Sequence, residues 1–230
     1  MPVTSSHSGD ILTDPNSIVE AYPREYYFGA AYQDYDLQNP PKKMAFYRDE
    51  IAKASSVRSP RLLDVGCALG NMLGSLPKSW DLTGVDASSF AISQAKVRVP
   101  HAKFHQCEMP PEDIGKFNII TAFDVIEHIE DYEPVLDRIE SLLANNGAFV
   151  FVVPVYDGMF GHVNRRLDFD VTHVNKWDRH RWLDLTKSRF YLESWAGIFR
   201  YLLPNKQYLH FPTGALRTLA PGILVTARKR

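Results

Sequence analysis

Leu62-Leu63-Asp64-Val65-Gly66-Cys67-Ala68-Leu69-Gly70-Asn71 decides how the rest of the chain is read. It is a buried strand that runs straight into a glycine-bearing turn and then into a helix. Glycine in such a turn lets the backbone approach a ligand closely, because any Cβ would fill the space. In an open parallel sheet, ligands bind outside the carboxyl ends of the strands, where this turn lies. A dinucleotide site wants Gly-x-Gly-x-x-Gly, which seats a pyrophosphate on a helix N-terminus. The pattern here is Gly66-x-x-x-Gly70, which fits a ligand without phosphates better.

Outward from this stretch, strand-like and helical runs alternate, the mark of βαβ units and a parallel sheet covered on both faces. We read strands at Arg61–Val65, Trp80–Val85, Lys103–Gln106, Phe117–Ala122 and Ala148–Val153. The clearest helix is Tyr132–Ala144, with Asp131 as its cap, Pro134 tolerated in its first turn, and Val135, Leu136, Ile139, Leu142 and Leu143 on one face. Asn145-Asn146-Gly147 then stops it in left-handed backbone. Phe190–Phe199 and Ile223–Ala227 are strand-like and can pair as an antiparallel edge. A second helix is expected over Pro41–Ala54, and 156–175 reads as a loop too long for a minimal connection. No internal repeat is present. The expected fold is α/β, a Rossmann-like, seven-stranded, mostly parallel sheet with helices on both faces and an antiparallel edge strand.

A chain of 230 residues suffices for one well-buried core with appendages. Its 45% apolar and 23% charged residues are ordinary for a globular protein, which argues against wholesale disorder. Lysine plus arginine (26) nearly cancels aspartate plus glutamate (27), so no overall positive field exists to hold a phosphate backbone, and nucleic acid drops as a partner. The longest apolar run, Gly147 to Val155, is far short of the roughly 20 residues that cross a bilayer. Residues 1–10 lack a basic start and an apolar core, so export is not expected. Two cysteines, Cys67 and Cys107, make no disulfide scaffold, and a reduced, cytoplasmic setting follows. No cysteine pair or close cysteine-histidine spacing suggests zinc, and no metal is expected.

Leu82-Thr83-Gly84-Val85-Asp86 ends the second strand about 20 residues past the first glycine, where a carboxylate can accept both hydroxyls of a ribose. The plainer alternative is that Asp86 only caps the following helix.

Four segments in order, Leu62–Gly70, Leu82–Asp86, Gln106-Cys107-Glu108 and Phe117–Ile129 with its Asp124-Val125-Ile126-Glu127-His128 ending, resemble the class I S-adenosylmethionine-dependent methyltransferases. The likeness is to the small-molecule branch that includes ubiquinone-biosynthesis-like enzymes, and it covers roughly residues 60 to 155. Further on, Asp170 to Trp177 resembles the Thr-His-x-Asn segment that many such enzymes carry before their last helix. The resemblance implies S-adenosyl-L-methionine as cofactor. It implies that Gly66, Cys67 and Gly70 face the methionine portion and that Asp64 positions its amino group. It puts Asp86, with Ala87 beside it, on the ribose, Glu108 near the adenine amino group, and Phe123 alongside the cofactor. Ala68 stands where the family has its middle glycine, and Glu108 where aspartate is commoner. The domain plan implied is an N-terminal arm and helical lid over 1–55, then a class I methyltransferase domain over 56–230 with a loop insertion at about 156–177.

Methyl transfer is an in-line displacement at a sulfonium carbon, so the main work is aligning the acceptor at near-attack distance. A hydroxyl acceptor benefits from a general base, and histidine is suited to that task. His128, just past the fourth strand, is the first candidate and His173 the second. For each, the competing assignment is a simple hydrogen bond to a loop carbonyl. Tyr22, Tyr26, Tyr27, Phe28, Tyr32 and Tyr35 form either a lid that excludes water or plain core. His162, Arg165 and Arg166 either receive an anionic acceptor or are solvated. The expected activity is O-methylation of a small-molecule acceptor. The alternatives are C- or N-methylation of a metabolite, and a non-catalytic cofactor-binding module of the same fold. A nicotinamide oxidoreductase would share the ribose carboxylate but needs a phosphate cradle that is not seen. Oligomeric state leaves no signature.

Overall fold

The computed structural model describes residues 22–30, 34–168, 170, 172–202 and 208–230, without the side chains of residues 30, 159, 162, 167, 201 and 202. The polar arm over 1–20, Tyr32, Val171 and the His162 side chain therefore lie outside the described residues.

Hydrophobic alternation in the strands sorts the core into two layers. Odd-numbered Leu63 and Val65 on β1 (Arg61–Val65) face one side, where Ile120 of β4 (Phe117–Phe123) and Phe149 and Phe151 of β5 (Leu143–Pro154) join them. Leu62, Ile119, Val150 and Val152 face the other side, with Leu82 of β2 (Asp81–Asp86). Successive side chains of a strand point to opposite faces, so each of these runs feeds both layers. Burying one such Leu, Ile or Phe contributes roughly 1.5–3 kcal/mol.

Helices cover both faces. Met44, Tyr47 and Ile51 of α1 (Pro41–Ala54) and Met72 and Leu73 of α2 (Asn71–Ser75) close the second layer, with Ile92 of α3 (Ser89–Arg98). Val135, Leu136, Ile139 and Leu142 of α4 (Tyr132–Leu142) close the first, with Trp182 and Leu183 from further along the chain. Asp131 makes no capping bond to α4, and the helix ends at Leu142 with an extended Leu143, not at Asn145-Asn146-Gly147, which lies within β5 with Asn146 left-handed (φ 59°).

With β3 (Lys103–Gln106), β6 (Tyr191–Leu202), β7 (Tyr208–Thr213) and β8 (Gly222–Arg228), the sheet has eight strands among the described residues, in the order β3-β2-β1-β4-β5-β8-β6-β7. The first five are parallel, and β8 runs antiparallel to both β5 and β6. The first four expected strands are found to within one residue at each end. The expected count of seven is corrected by β7, which pairs antiparallel with β6. Its Pro212 hides it from a strand pattern, since proline is tolerated only where no ladder donor is needed, as at a sheet edge.

The expected loop over 156–175 contains a helix, α5 (Gly158–Leu167). Two glycines lower its helix propensity on paper. Gly161 is there for packing: a Cβ would lie 2.4 Å from the Tyr156 carbonyl carbon. The last helix, α6 (Arg179–Arg189), is capped by Asp178, whose side chain accepts the Arg181 N–H.

β1 sends the chain to β2 on one side and has β4 on its other, so strand order reverses between β1 and β4. The crevice over this reversal, at the strands' carboxyl ends, is where such sheets bind ligands.

Candidate active site

The turn leaving β1 is pinned to β2 by its backbone. Gly66 and Cys67 both donate their N–H to the Val85 carbonyl, at 2.8 and 3.0 Å. Gly66 adopts φ +69°, and a Cβ there would stand 2.3 Å from Val125 Cγ2. Ala68, in the place of the family's middle glycine, adopts the same left-handed region (φ 46°), so the turn keeps its shape at some backbone cost. Gly70 (φ +80°) lets α2 lie against Ala95 and Val99 of α3.

Asp86 closes β2 beneath this turn. Its Oδ2 accepts the Ala68 N–H at 2.8 Å and its Oδ1 accepts the Ser88 N–H at 2.9 Å. Ser88 then caps α3 by accepting the Ala91 N–H. Burial raises the Asp86 pKa, and the two amide donors work against that rise. The cap of α3 is thus Ser88 and not Asp86, and each Asp86 oxygen keeps a second lone pair with which it could accept from a ribose.

Asp64, one strand over, is buried and accepts a 2.7 Å bond from Thr121 Oγ1. Burial, and secondarily the charge of Asp86, push its pKa up to about 7. Asp64, Gly66, Cys67 and Phe123 border one cavity of about 40 Å³, shared with Lys43 and Tyr47 of α1. Gly70, Asp86, Ala87 and Glu108 are not on its wall; Glu108 is exposed, and the Ala87 carbonyl accepts from Gln106. Over the turn lies the aromatic segment. Tyr27 is 3% exposed and packs with Ala68, Leu69 and Ala91, and the Tyr22 carbonyl accepts the Ser88 hydroxyl at 2.7 Å.

Past β4 the chain turns sharply at Asp124, a non-glycine residue at φ 58°. Burial pushes Asp124 up, but Arg200 on β6 and Lys43 outweigh it and hold the carboxyl below its ordinary range. Arg200 is ion-paired with it. Sequence reasoning passed over this pair, because nothing local links β6 to the end of β4.

The next residues carry the two expected histidines. Val174 and Asn175 donate their N–H groups to the Glu127 carbonyl at 3.0 and 2.9 Å, and Asn175 Nδ2 donates to Ile126 and Ile129. That clamp is the structural use of the Thr-His-x-Asn segment, and it brings the His173 ring to 4.5 Å from the His128 ring. Thr172 gives its hydroxyl proton to Asp170 (2.5 Å) and therefore accepts from His128 Nδ1 (2.8 Å). His173 Nδ1 lies 2.9 Å from Asp168 Oδ1, and Asp168 also accepts from Tyr156 and pairs with Lys176. Burial, and then the neighbouring His173, lower the His128 pKa to about 4. Glu127 is 0% exposed, and burial raises its pKa well above the usual range, with Asp124 adding to the rise. Neither of its carboxylate oxygens has a hydrogen-bond partner among the described residues. Donor atoms of Glu127, His128 and His173 lie within 4.8 Å of one another, a grouping that local spacing did not signal. Arg165, on α5, stacks over Tyr156, and Arg166 is exposed.

Residues 37–216 match the sequence profile of a family described as a methyltransferase domain. The chain belongs to that family. The methyltransferase chain is 34% identical over 102 residues to trans-aconitate 2-methyltransferase of Enterobacter sp. (strain 638), covering 40% of this chain and 38% of that one. It is 27% identical over 126 residues to ubiquinone biosynthesis O-methyltransferase of Rhodopseudomonas palustris (strain HaA2), covering 48% and 49%. It thus spans about half the length, or less, of these curated relatives. In fold it is similar to the N-methyltransferase NodS of Bradyrhizobium japonicum WM9 in complex with S-adenosyl-L-homocysteine, with a TM-score of 0.64, 17% identity, and 92% and 98% of the two chains covered.

Membership makes S-adenosylmethionine the cofactor to be fitted to this methyltransferase crevice. The glycine turn, the free lone pairs of Asp86 and the Asp64 carboxyl suit a ribose and an ammonium group. The cavity of about 40 Å³ is an order of magnitude below the roughly 300 Å³ or more that small-molecule sites occupy. The aromatic segment packs on Ala68 and Leu69 beside it, and its Tyr35 lines the cavity.

Proposed function

We propose that this chain is an enzyme that moves the methyl group of S-adenosylmethionine to a hydroxyl of a small-molecule acceptor. The observation that carries this is the juxtaposition at the end of β4: Phe123 borders the Asp64 cavity, and His128 follows a few residues on, with His173 clamped beside it. When bound, the cofactor supplies an electrophilic methyl carbon on a sulfonium. Asp64 would hold its ammonium group, Gly66, Cys67 and Gly70 its methionine chain, Asp86 and Ala87 its ribose, Glu108 its adenine, and Phe123 its flank. The chain's own part would be to align the acceptor hydroxyl with that methyl carbon, so that an O–C bond could form as the S–C bond broke, and to receive the hydroxyl proton at the His128–His173 pair. Tyr22, Tyr26, Tyr27, Phe28 and Tyr35, within the 1–55 arm and lid of a 56–230 catalytic domain, would close over the reacting groups.

The protein is read as cytoplasmic and as acting on a small molecule, not on nucleic acid. No helix among the described residues is long and apolar enough to cross a membrane, and the charge balance is nearly even. O-methylation is preferred over C- or N-methylation because a histidine pair gives a hydroxyl proton somewhere to go.

One observation favours the non-catalytic cofactor-binding module, namely Tyr27 seated on the glycine turn. Calorimetry with S-adenosylmethionine, followed by mass spectrometry for a methylated product in cell extract, separates the two. Binding plus a metabolite heavier by one methylene unit supports the enzyme. Binding with no product from any acceptor supports the module, and no binding to the protein or to Tyr27→Ala refutes both.

A further inference from the structure

We propose that Glu127, His128 and His173 hold one divalent transition-metal cation of the zinc and cobalt class. Two observations point there independently. The first is the donor set: one carboxylate and two imidazoles whose ligand atoms lie within 4.8 Å of one another. A cation about 2.0–2.2 Å from each donor in tetrahedral geometry holds the donors roughly 3.3–3.6 Å apart, so the three side chains would close in by up to about 1.5 Å on binding. The second is Glu127 itself, fully buried with both oxygens unpartnered among the described residues. Buried polar groups are nearly always bonded, and an orphan of this kind asks what satisfies it.

The surroundings prepare the histidines as ligands. Thr172 occupies His128 Nδ1, and Asp168 occupies His173 Nδ1, each at hydrogen-bond distance. Nε2 is thereby the nitrogen each ring has left to share. Metal-binding histidines characteristically have their other nitrogen held this way, which fixes ring orientation and raises ligand basicity. Asp170 buttresses Thr172, and Tyr156 and Lys176 buttress Asp168. Two imidazoles with one carboxylate select against magnesium and calcium, which prefer all-oxygen shells. Such a three-ligand set leaves a position open for water or substrate.

The metal site stands on geometry alone. Its use rests on the function proposed above and takes over the histidines' part in it: with both Nε2 atoms on the cation, a hydroxyl of the acceptor in the open position would lose its proton more readily, to solvent, as metal-bound water does.

The test uses the full-length, tag-free chain, stripped with chelator and titrated with Zn²⁺ by calorimetry and with Co²⁺ by visible absorption. The expected result is one equivalent bound, with the cobalt spectrum of a four- or five-coordinate site. Glu127→Gln and His173→Gln should each weaken binding at least 100-fold. Thr172→Ala, which removes only the outer support, should weaken it about 10- to 100-fold. No bound equivalent in the wild type, or unchanged affinity in folded His173→Gln, overturns the site. His173 is partly exposed, so this variant remains decisive if Glu127→Gln fails to fold. Methyl transfer without metal binding would sink the metal site and leave the enzyme reading intact. Metal binding without methyl transfer would do the reverse.

Discussion

Asp86 Oδ2 accepts the backbone N–H of Ala68 at 2.8 Å, tying the carboxylate that ends β2 to the turn that leaves β1. The two features expected to share one nucleoside are thus in contact before any ligand arrives. The carboxylate organises the turn and can still accept from a ribose.

Replacing Asp86 with alanine removes both functions. We expect S-adenosylmethionine affinity to fall roughly 10- to 100-fold, as for a lost charge-assisted hydrogen bond, together with a lower melting temperature. Calorimetry checks the first and a thermal scan the second. Unchanged affinity would remove Asp86 from the cofactor site.

Gly66→Ala should destabilise by about 2 kcal/mol or more. The new Cβ would sit 2.3 Å from Val125 Cγ2, at φ +69°. Adding Val125→Ala should recover the steric part of that loss and leave the backbone part, in urea denaturation of the single and double variants. Equal stability of Gly66→Ala and wild type would refute the packing seen here.

Asp64, raised to about 7 by burial, sets a pH dependence. Its unfolded value is about 3.9, so between these two values the folded state binds the extra proton. Stability therefore falls as pH rises through that window. Asp64→Asn should flatten this part of the curve and be more stable than wild type at pH 8 in the absence of cofactor. Saturating S-adenosylmethionine, whose ammonium group compensates the charge, should narrow the difference. A parallel pair of pH–stability curves would contradict the assignment.

Arg200→Met removes the ion-pair partner of Asp124 and leaves only the more weakly acting Lys43 as counter-charge. The side chains are 17% and 19% exposed, so the cost should be about 2–3 kcal/mol, below the 3–5 kcal/mol typical of a fully buried broken pair. Arg200→Met with Asp124→Asn should restore much of it, since asparagine tolerates the left-handed backbone and carries no charge. Chemical denaturation of the three variants decides this, and a double variant no better than Arg200→Met would count against the pair.

The βαβ order, the strand bounds and the two-sided core were legible because they are local. Alternation of apolar residues assigns Leu62 and Leu63 to opposite faces without knowledge of any partner. β7 and α5 were missed because Pro212 and Gly161 contradict the local pattern, and only packing explains why each is tolerated.

What the amino-acid order determined by itself was the glycine turn after β1, the acidic end of β2 and the family to which they belong. These features lie within single strand-turn-helix units, where backbone sterics act between near neighbours. Tertiary structure alone decided that Asp86 bonds Ala68, that Arg200 faces Asp124 and that Glu127 meets both His128 and His173. Apart from the adjacent Glu127 and His128, these contacts join residues far apart along the chain. Short-range hydrogen bonding and side-chain periodicity fix where an element forms, but not which distant element folds back upon it.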